Sequence, residues 1–179
     1  MYRRTASRRL LRARCDGAYA ARPAMNDCLF CRIVEGLEPA SVVERTSSTL
    51  TFLDLYGVRE GHALVTPRRH ALRLEELAPA ERRALFDAVA RVQFAQRAAG
   101  LRADGYTLLV NDGPAAGQHV PHVHVHVVPR GRGDTCAVIG RFVLATLNYF
   151  GRPRPRAALD AIAARLHDRL RCADAASGD

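Results

Sequence analysis

The sequence predicts an α+β domain: an antiparallel sheet of roughly five strands, one long helix on one face of the sheet, and a second helix near the C-terminus. Short apolar segments rich in β-branched residues recur between turn signals, which is typical of strands. One long segment carries the start and stop signals of a helix, and a later one repeats Ala, Leu and Ile at helical spacing. With 179 residues, 48% of them apolar, the chain is long enough for one cored domain and short for two.

The predicted elements follow one another from Cys28 onward. Cys28–Gly36 favours a short helix or turn that ends at Gly36. The long helix begins at Pro79, which suits a first helical position, and ends at Gly100. The other predicted elements are strands Ser41–Arg45, Thr49–Leu53, His62–Thr66 and Tyr106–Val110, and a C-terminal helix Arg156–Arg171. The segment Cys136–Phe150 is apolar without a clear period.

The two ends of the chain differ from its middle in composition. The formal net charge is +9 and all 27 basic residues are arginine. Seven of these arginines and one acid, Asp16, lie in Met1–Ala24, a net charge of +6, which leaves only +3 beyond that segment. We therefore expect a disordered extension over residues 1–25, either transit-like or read from an overextended start before Met25. The domain is expected over 26–172 and a tail over 173–179. Because the excess charge is confined to the extension, a nucleic-acid partner is not expected.

Hydropathy and cysteine usage bound the compartment. No apolar run approaches the roughly 18 residues of a membrane-spanning helix, so no membrane contact is expected. Five cysteines at irregular spacing argue against a disulfide framework and for a reducing compartment. The expected location is the cytoplasm, or the mitochondrion if the extension is real and the source is eukaryotic.

A row of histidines dominates the sequence. From His122 to Val127 the chain alternates His and Val without a break, which predicts a half-buried strand with His122, His124 and His126 on one face. A core strand gains nothing from three imidazoles, because each must be desolvated and hydrogen-bonded. The row therefore indicates a nucleophile, a ligand set or a proton-transfer path, with solvated histidines on an edge strand as the alternative.

Besides the row, two further features of the sequence have a chemical interpretation. The turn-rich loop Asn111–His119 directly precedes it, and glycines in such a loop let backbone amides approach a phosphate. Cys28 and Cys31 lie on one side of a helical turn, which suits chelation of one ion, although a pair of reduced, buried cysteines would look the same.

The segment His122-Val123-His124-Val125-His126-Val127-Val128 resembles the signature of the histidine triad superfamily of nucleotide hydrolases and transferases, and the resemblance spans about residues 27–131. It implies that fold, a two-fold dimer, and cleavage at the α-phosphate of a purine nucleotide. It also implies that His124 is the nucleophile, forming a nucleotidyl-histidine, and that His126 donates to a phosphate oxygen. A nucleoside phosphoramidate or an adenylylated amine is the expected substrate.

The resemblance assigns further residues. His119 stands where many members have Ser or Thr, and it could act as a general acid or face solvent. His62 faces the site in related proteins, but it could also simply begin a strand. The residues implied to bind substrate are Asp54 (ribose hydroxyls, with a turn-capping role as the alternative) and its neighbour Leu55; Asn111, Gly117 and Gln118 (ribose and α-phosphate, the last two through their backbone); and Leu29, Phe30, Ile33 and Phe52 (adenine, with plain core packing as the alternative).

A structural zinc ion is implied by the same resemblance. Members that carry the Cys pair bind zinc with two histidines, which here are His70 and His122 beside Cys28 and Cys31. Two rival functions stay open. Asp112–Gln118 and Val128-Pro129-Arg130 are similar to the fragile histidine triad branch, which points to a dinucleoside polyphosphate hydrolase; the Cys pair and Asn111 favour the nucleotide-binding branch. The protein could also be a nucleotide-binding interaction module with weak activity.

Overall fold

The computed structural model describes residues 28–146 and 153–176, so the predicted extension 1–25 lies outside the described residues. Within them the chain forms the predicted five-stranded antiparallel sheet, with four helices. The strands are β1 (Val42–Arg45), β2 (Thr49–Leu53), β3 (Ala63–Pro67), β4 (Gly105–Leu109) and β5 (Val125–Arg130); the helices are α1 (Leu29–Glu35), α2 (Pro79–Ala98), α3 (Thr135–Thr146) and α4 (Arg156–Ala176). No described helix is long and apolar enough to cross a membrane.

The strand order is β1-β2-β3-β5-β4, and every neighbouring pair is antiparallel. The first hairpin closes on Thr46, whose Oγ1 accepts the N–H of Thr49 at 2.9 Å and of Ser48 at 3.2 Å. This is the competition of short polar side chains for backbone donors that favours turns. The His-rich strand β5 lies between β3 and β4, so both of its edges are paired and its side chains are held on rigid backbone.

Helices α2 and α4 cover one face of the sheet. Helix α2 begins at Pro79, and the Glu81 side chain accepts the Ala78 N–H at 2.7 Å, which satisfies one of the free donors at the helix start. The main core lies below, and each fully buried Leu or Val contributes about 1.5–3 kcal/mol. Its fully or nearly fully buried members include Leu85, Val89 and Val92 of α2, Leu159, Leu166 and Leu170 of α4, and Val123, Val125 and Val127 of the triad segment.

A smaller apolar cluster covers the opposite face. Helix α1 ends at Gly36, where a φ of +79° lets the backbone turn back and bond to the Arg32 and Ile33 carbonyls, as predicted for this glycine. Phe30, Leu50 and Phe52 form the centre of this cluster. The two apolar layers are thus separated by the sheet, and the triad histidines project into the smaller one.

In three places the elements differ from the sequence-based expectation. The apolar segment that showed no clear period overlaps helix α3, whose Val138 N–H bonds to the Asp134 carbonyl at 2.9 Å. The tail predicted from residue 173 is helical as far as Ala176, because Arg91 holds Asp174 through two hydrogen bonds of 2.8 and 2.9 Å. Strand β5 begins at Val125 instead of His122.

Candidate functional site

The start of the triad segment runs beside the sheet without joining its ladder. The His122 N–H donates to the Val120 carbonyl and the Val123 N–H to the Ala71 carbonyl, both at 2.8 Å. The Val123 carbonyl accepts the Thr66 hydroxyl at 2.8 Å. These bonds replace strand pairing at this point, which is why the ladder starts later than predicted. The alternation itself is retained, because the valines enter the main core and the histidines the opposite side.

His124 is held in one tautomer. Its Nδ1 lies 2.7 Å from the His122 carbonyl oxygen, and since a carbonyl can only accept, Nδ1 carries the proton. The Nε2 atom therefore keeps its lone pair. The ring packs edge-on against Phe30 at 5.1 Å and lies 4.9 Å from the His126 ring. Burial lowers the pKa of His124 below its usual 6.5, against the His122 bond and the charge of Asp54, so the imidazole is neutral at pH 7.

A second pair of histidines forms a directed chain of hydrogen bonds. The Val58 N–H donates to His62 Nδ1 at 3.2 Å, so His62 carries its proton on Nε2. His62 Nε2 lies 3.0 Å from His126 Nδ1, which must then accept. His126 consequently has its own proton on Nε2, as a donor. Burial is the main reason why the pKa values of His62 and His126 both fall to about 3, so both rings are neutral.

Asp54 lies at the end of β2 beside this chain. Its Oδ1 accepts the Tyr56 N–H at 2.9 Å, and its Oδ2 lies 3.5 Å from His62 Nδ1. Burial raises the pKa of this carboxyl, while the Tyr56 bond and electrostatic interactions with His126, His124 and Arg154 oppose the shift. The side chain both caps a turn and is partly exposed, so the turn-capping role and a ligand-binding role are compatible.

The four residues expected to bind zinc come together. Their ligand atoms all lie within 4.8 Å of one another. Cys28 Sγ and Cys31 Sγ lie 3.5 and 3.6 Å from His122 Nδ1, and Cys31 Sγ lies 3.2 Å from His70 Nδ1. A tetrahedral ion with bonds of ~2.3 Å to sulfur and ~2.0 Å to nitrogen places its S and N ligands about 3.5 Å apart. The cluster therefore fits a closed, four-ligand metal site.

The protonation of the cluster also suits a metal. The His122 Nε2–H donates to the Pro67 carbonyl at 2.9 Å, which leaves Nδ1 unprotonated toward the sulfurs. Burial lowers the pKa of His122 to about 4. Burial and the neighbouring Cys28 raise the pKa of Cys31 to about 12, so its thiolate form is unfavourable here unless a cation lies beside it. The residues present fit the ion that the sequence implied.

The loop before the triad is closed by its own hydrogen bonds. The Gln118 side chain accepts the Gly113 N–H at 2.9 Å and donates to the Leu72 carbonyl at 3.0 Å. The backbone N–H groups of Gly117 and Gln118 donate to the carbonyls of Pro114 and Gly113. These two amides were expected to contact phosphate, and in this structure they stabilise the short 3-10 turn instead. Asn111 Nδ2 donates to the Gly117 carbonyl at 3.3 Å.

The remaining expected residues divide by exposure. Phe30, Ile33 and Phe52 are buried in the smaller cluster, and Phe30 and Phe52 meet edge to face at 5.4 Å. Leu29 is 47% exposed and Leu55 is half-buried, so these two present apolar surface to solvent. His119 is exposed, yet its charge is near enough to lower the pKa of His124.

Three groups that set the site's geometry were absent from the sequence-based expectations. They are the Val58 N–H, the Pro67 carbonyl and the Thr66 hydroxyl. Two are backbone groups, and any residue type supplies them, so composition and spacing carry no signal for them. Thr66 lies at the end of a predicted strand, where a hydroxyl has no distinctive pattern.

Known proteins resemble this chain in sequence. The model of the HIT domain family matches residues 35–133. Adenylylsulfatase HINT3 of Arabidopsis thaliana is 36% identical over 120 residues, which cover 66% of this chain and 60% of that protein. Adenosine 5'-monophosphoramidase hnt1 of Schizosaccharomyces pombe is 37% identical over 103 residues, which cover 58% of this chain and 74% of that protein.

A solved structure shares the fold over nearly its whole length. The crystal structure of a zinc-bound histidine triad family protein from Mycobacterium smegmatis has a TM-score of 0.70 at 33% sequence identity, and the match covers 86% of this chain and 99% of that chain. The family model, for its part, spans more than half of the 179 residues. The chain belongs to the HIT domain family.

Proposed function

We propose that this protein is a nucleotide hydrolase that cleaves adenylyl compounds at the α-phosphate through a covalent bond to His124. The observation that carries the proposal is the bond from His124 Nδ1–H to the His122 carbonyl, which leaves Nε2 unprotonated. A neutral imidazole with one nitrogen fixed as a donor is a nucleophile at working pH. The names of the two relatives, an adenylylsulfatase and an adenosine 5'-monophosphoramidase, share an adenylyl group with a sulfate or an amine attached.

The reaction proceeds in two displacements. His124 Nε2 attacks the α-phosphorus, the bond from phosphorus to the leaving group breaks, and the electron pair leaves with the amine or sulfate. An amine needs a proton as it leaves, and the exposed His119 is the general acid that we assign. Water then attacks phosphorus and loses a proton to the solvent, the P–Nε2 bond breaks with its electron pair returning to Nε2, and AMP is released with His124 in its neutral form.

His126 stabilises the charge that develops on phosphate. The chain from Val58 through His62 leaves the His126 proton on Nε2, where it can donate to a non-bridging oxygen. Such a donor is worth roughly 2.7–4 kcal/mol of barrier. Asp54 accepts the ribose hydroxyls, and Asn111 with the glycine turn bounds the phosphate. Leu29, Leu55 and the rim of the Phe30, Ile33 and Phe52 cluster hold the base.

We assign a structural role to the metal site. Zinc, when bound by Cys28, Cys31, His70 and His122, supplies a fixed cross-link between α1 and the triad segment. His122 offers its ring to this site and its carbonyl to His124, so the same residue orients the nucleophile.

Intact-protein mass spectrometry after brief mixing with adenosine 5'-phosphoramidate tests the proposal. The wild-type protein should carry an AMP adduct, and peptide mapping should place it on His124. His124→Ala should carry none, whereas His126→Ala should form it more slowly. An adduct on another residue, or steady turnover by His124→Ala, would sink the assignment. Comparing diadenosine polyphosphates as substrates separates the rival hydrolase, and turnover of neither substrate would indicate a binding module.

We further propose that the protein forms a homodimer through strand β4 and the outer face of α2. Within the described chain β4 pairs only with β5, so its outer edge is open. Phe86 and Phe94 of α2 and Leu108 of β4 are 46%, 49% and 44% exposed. Tyr106 reaches the Gln93 carbonyl at 2.6 Å, which ties β4 to this side of the helix. Open strand edges and apolar patches are typical of subunit contacts.

Sedimentation equilibrium tests the dimer. Leu108→Glu and Phe94→Glu should shift the wild-type dimer toward monomer, because each buries a charge at the contact. Leu37→Glu is the matched control, since Leu37 is 68% exposed and lies just after α1. A monomeric wild type, or a Leu37→Glu effect as large as that of Leu108→Glu, would contradict the proposal.

A further inference from the structure

A cluster of arginine side chains lies beside the triad site, and one of its members, Arg154, acts electrostatically on His62 and Asp54. It surrounds a cavity of about 250 Å³ whose lining residues are Arg59, Glu60, Leu101, Arg102, Arg141 and Arg154. They come from the loop before β3, the turn after α2, helix α3 and the segment before α4. Four guanidinium groups from four parts of the chain thus meet one carboxylate around a single opening.

Three of these guanidinium groups are held in place by backbone carbonyls. The bonds run from Arg141 to the Val58 carbonyl (2.8 Å), from Arg154 to the Gly57 carbonyl (3.2 Å) and from Arg102 to the Arg132 carbonyl (3.4 Å). A guanidinium group has five N–H donors, and one carbonyl uses only one or two of them. The side chains are therefore oriented while most of their donors stay available.

The same three arginines form no ion pair with a carboxylate of the described residues. Arg59 pairs with Asp134 at 3.2 Å, and Glu60 faces Arg165 at 3.7 Å. Across residues 28–146 and 153–176, Arg102, Arg141 and Arg154 have no carboxylate oxygen within 4.0 Å. Fixed like charges around one opening repel each other, and an anion with several oxygens removes that repulsion.

We propose that this cavity is a second ligand site, which binds a small, multiply charged oxyanion of the phosphate or pyrophosphate class. Pockets for drug-sized ligands hold roughly 300–1,000 Å³, so a cavity of this size suits a phosphate group better than a whole nucleotide. Arginine is the residue best suited to such groups, because its planar fork matches two oxygens at once. Glu60 does not oppose this strongly, since its side chain is 60% exposed and turned toward Arg165.

The cavity borders the loop that connects two residues of the triad site. The carbonyls held by Arg154 and Arg141 belong to Gly57 and Val58, between Asp54 and His62. The backbone N–H of Arg154 also donates to the Leu55 carbonyl at 2.9 Å. An anion bound here would restrain the arginines that donate to this loop, and through them the loop itself. Two sources fit the chemistry: a free anion, or a second phosphate on a bound nucleotide.

Isothermal titration calorimetry of the full-length protein with inorganic pyrophosphate at low salt tests the site. Pyrophosphate should bind the wild type, and should still bind when AMP is present in excess. Arg102→Gln combined with Arg141→Gln should weaken binding at least tenfold, and the corresponding pair of lysine substitutions should retain part of it. Circular dichroism and thermal unfolding verify that each variant is folded.

Arg83→Gln is the control for Arg141→Gln. Arg83 is exposed near the start of α2, about 22 Å along the helix axis from its last residue, Ala98, at ~1.5 Å per residue. The cavity residue Leu101 lies just beyond that far end of the helix. Arg141→Gln should weaken pyrophosphate binding several-fold and Arg83→Gln less than twofold.

Two results would overturn the site: pyrophosphate displaced by AMP, which places it at the triad, or equal affinity in the folded double variant. Adenosine 3',5'-bisphosphate distinguishes the sources. If adenosine 3',5'-bisphosphate binds more tightly than AMP to the wild type but not to the double variant, the oxyanion belongs to a nucleotide. If the double substitution weakens the binding of pyrophosphate alone, the oxyanion is a free anion. Because binding is measured without turnover, this test is independent of the covalent mechanism.

Discussion

His62 donates a hydrogen bond of 3.0 Å from Nε2 to Nδ1 of His126, and a backbone amide, that of Val58, fixes the direction of this bond. A backbone amide, which does not depend on the side chain at that position, thereby determines which nitrogen of His126 carries the proton that faces the substrate. The arrangement resembles a relay in appearance, but both rings are neutral, so it orients a donor without moving charge.

Removing His62 should therefore slow the reaction through His126. We expect His126→Gln to lower kcat on adenosine 5'-phosphoramidate by about 10²–10³, the usual effect of losing one donor to a developing charge. His62→Gln should lower it by less, because His126 remains but can adopt either tautomer. Val58→Ala keeps the backbone N–H and serves as the control. A His62→Gln variant with wild-type kcat would show that the bond does not orient His126.

Substitution of one thiolate should empty the metal site. Inductively coupled plasma mass spectrometry should find one zinc per chain in the wild type and little in Cys31→Ser, because the remaining ligands leave a tetrahedral ion incomplete. The Tm should fall in the same variant. Cys136 is exposed and distant from the cluster in sequence, so Cys136→Ser should keep its zinc. Equal metal content in both variants would place the ion elsewhere.

The free energy of unfolding should decrease in mild acid because of the imidazole rings of His62 and His126. Their pKa values are about 3 in the folded protein and about 6.5 when unfolded, so the unfolded chain binds more protons between these values. The free energy of unfolding should thus be unaffected above pH 6.5. Below it, the loss should reach up to about 1.4 kcal/mol per pH unit for each ring.

Urea denaturation at pH 7.5 and pH 5 measures this effect. The double variant His62→Gln with His126→Gln should show a smaller loss of stability between the two pH values than the wild type. The metal ligands are unchanged in both proteins, so acid release of zinc contributes equally. An identical loss in both would mean that other groups cause the acid sensitivity.

Truncation of a core leucine should be far more costly than truncation of a surface one. Leu85 is fully buried on the inner face of α2, and Leu85→Ala should lower the free energy of unfolding by about 2–5 kcal/mol through lost contacts and a cavity. Leu37→Ala makes the same chemical change at a side chain that is 68% exposed, and surface changes usually stay within about 0.5 kcal/mol. Similar losses at both positions would contradict the assigned core.

Most of the fold could be predicted from the sequence because the local sequence patterns agree with the packing in the structure. Pro79 and the alternation around β5 mark a helix start and a two-sided strand, and the structure has both. Helix α3 was missed because its apolar residues show no clear period. The extra turns of α4 depend on Asp174 meeting Arg91, a contact between residues 83 apart that no local pattern reports.

The site divides in the same way. Cys28, Cys31, His70 and His122 were named from the sequence, and the structure brings their ligand atoms together. Reactive and metal-binding side chains form a recognisable pattern in the sequence. The backbone groups that only orient them do not. The contact of the Gly117 and Gln118 amides with phosphate stays a prediction, and in this structure both amides donate to carbonyls of the 3-10 turn.

Helix α4 has a practical meaning for anyone trimming this protein. The family match stops at residue 133, yet Leu159, Leu166 and Leu170 sit beyond that limit and seal the apolar layer above β1 and beside α2. A fragment ending where the similarity ends would keep every triad histidine but would expose to water the apolar surface that α4 covers. Such a fragment should aggregate, so expression boundaries for this protein belong after the last helical turn.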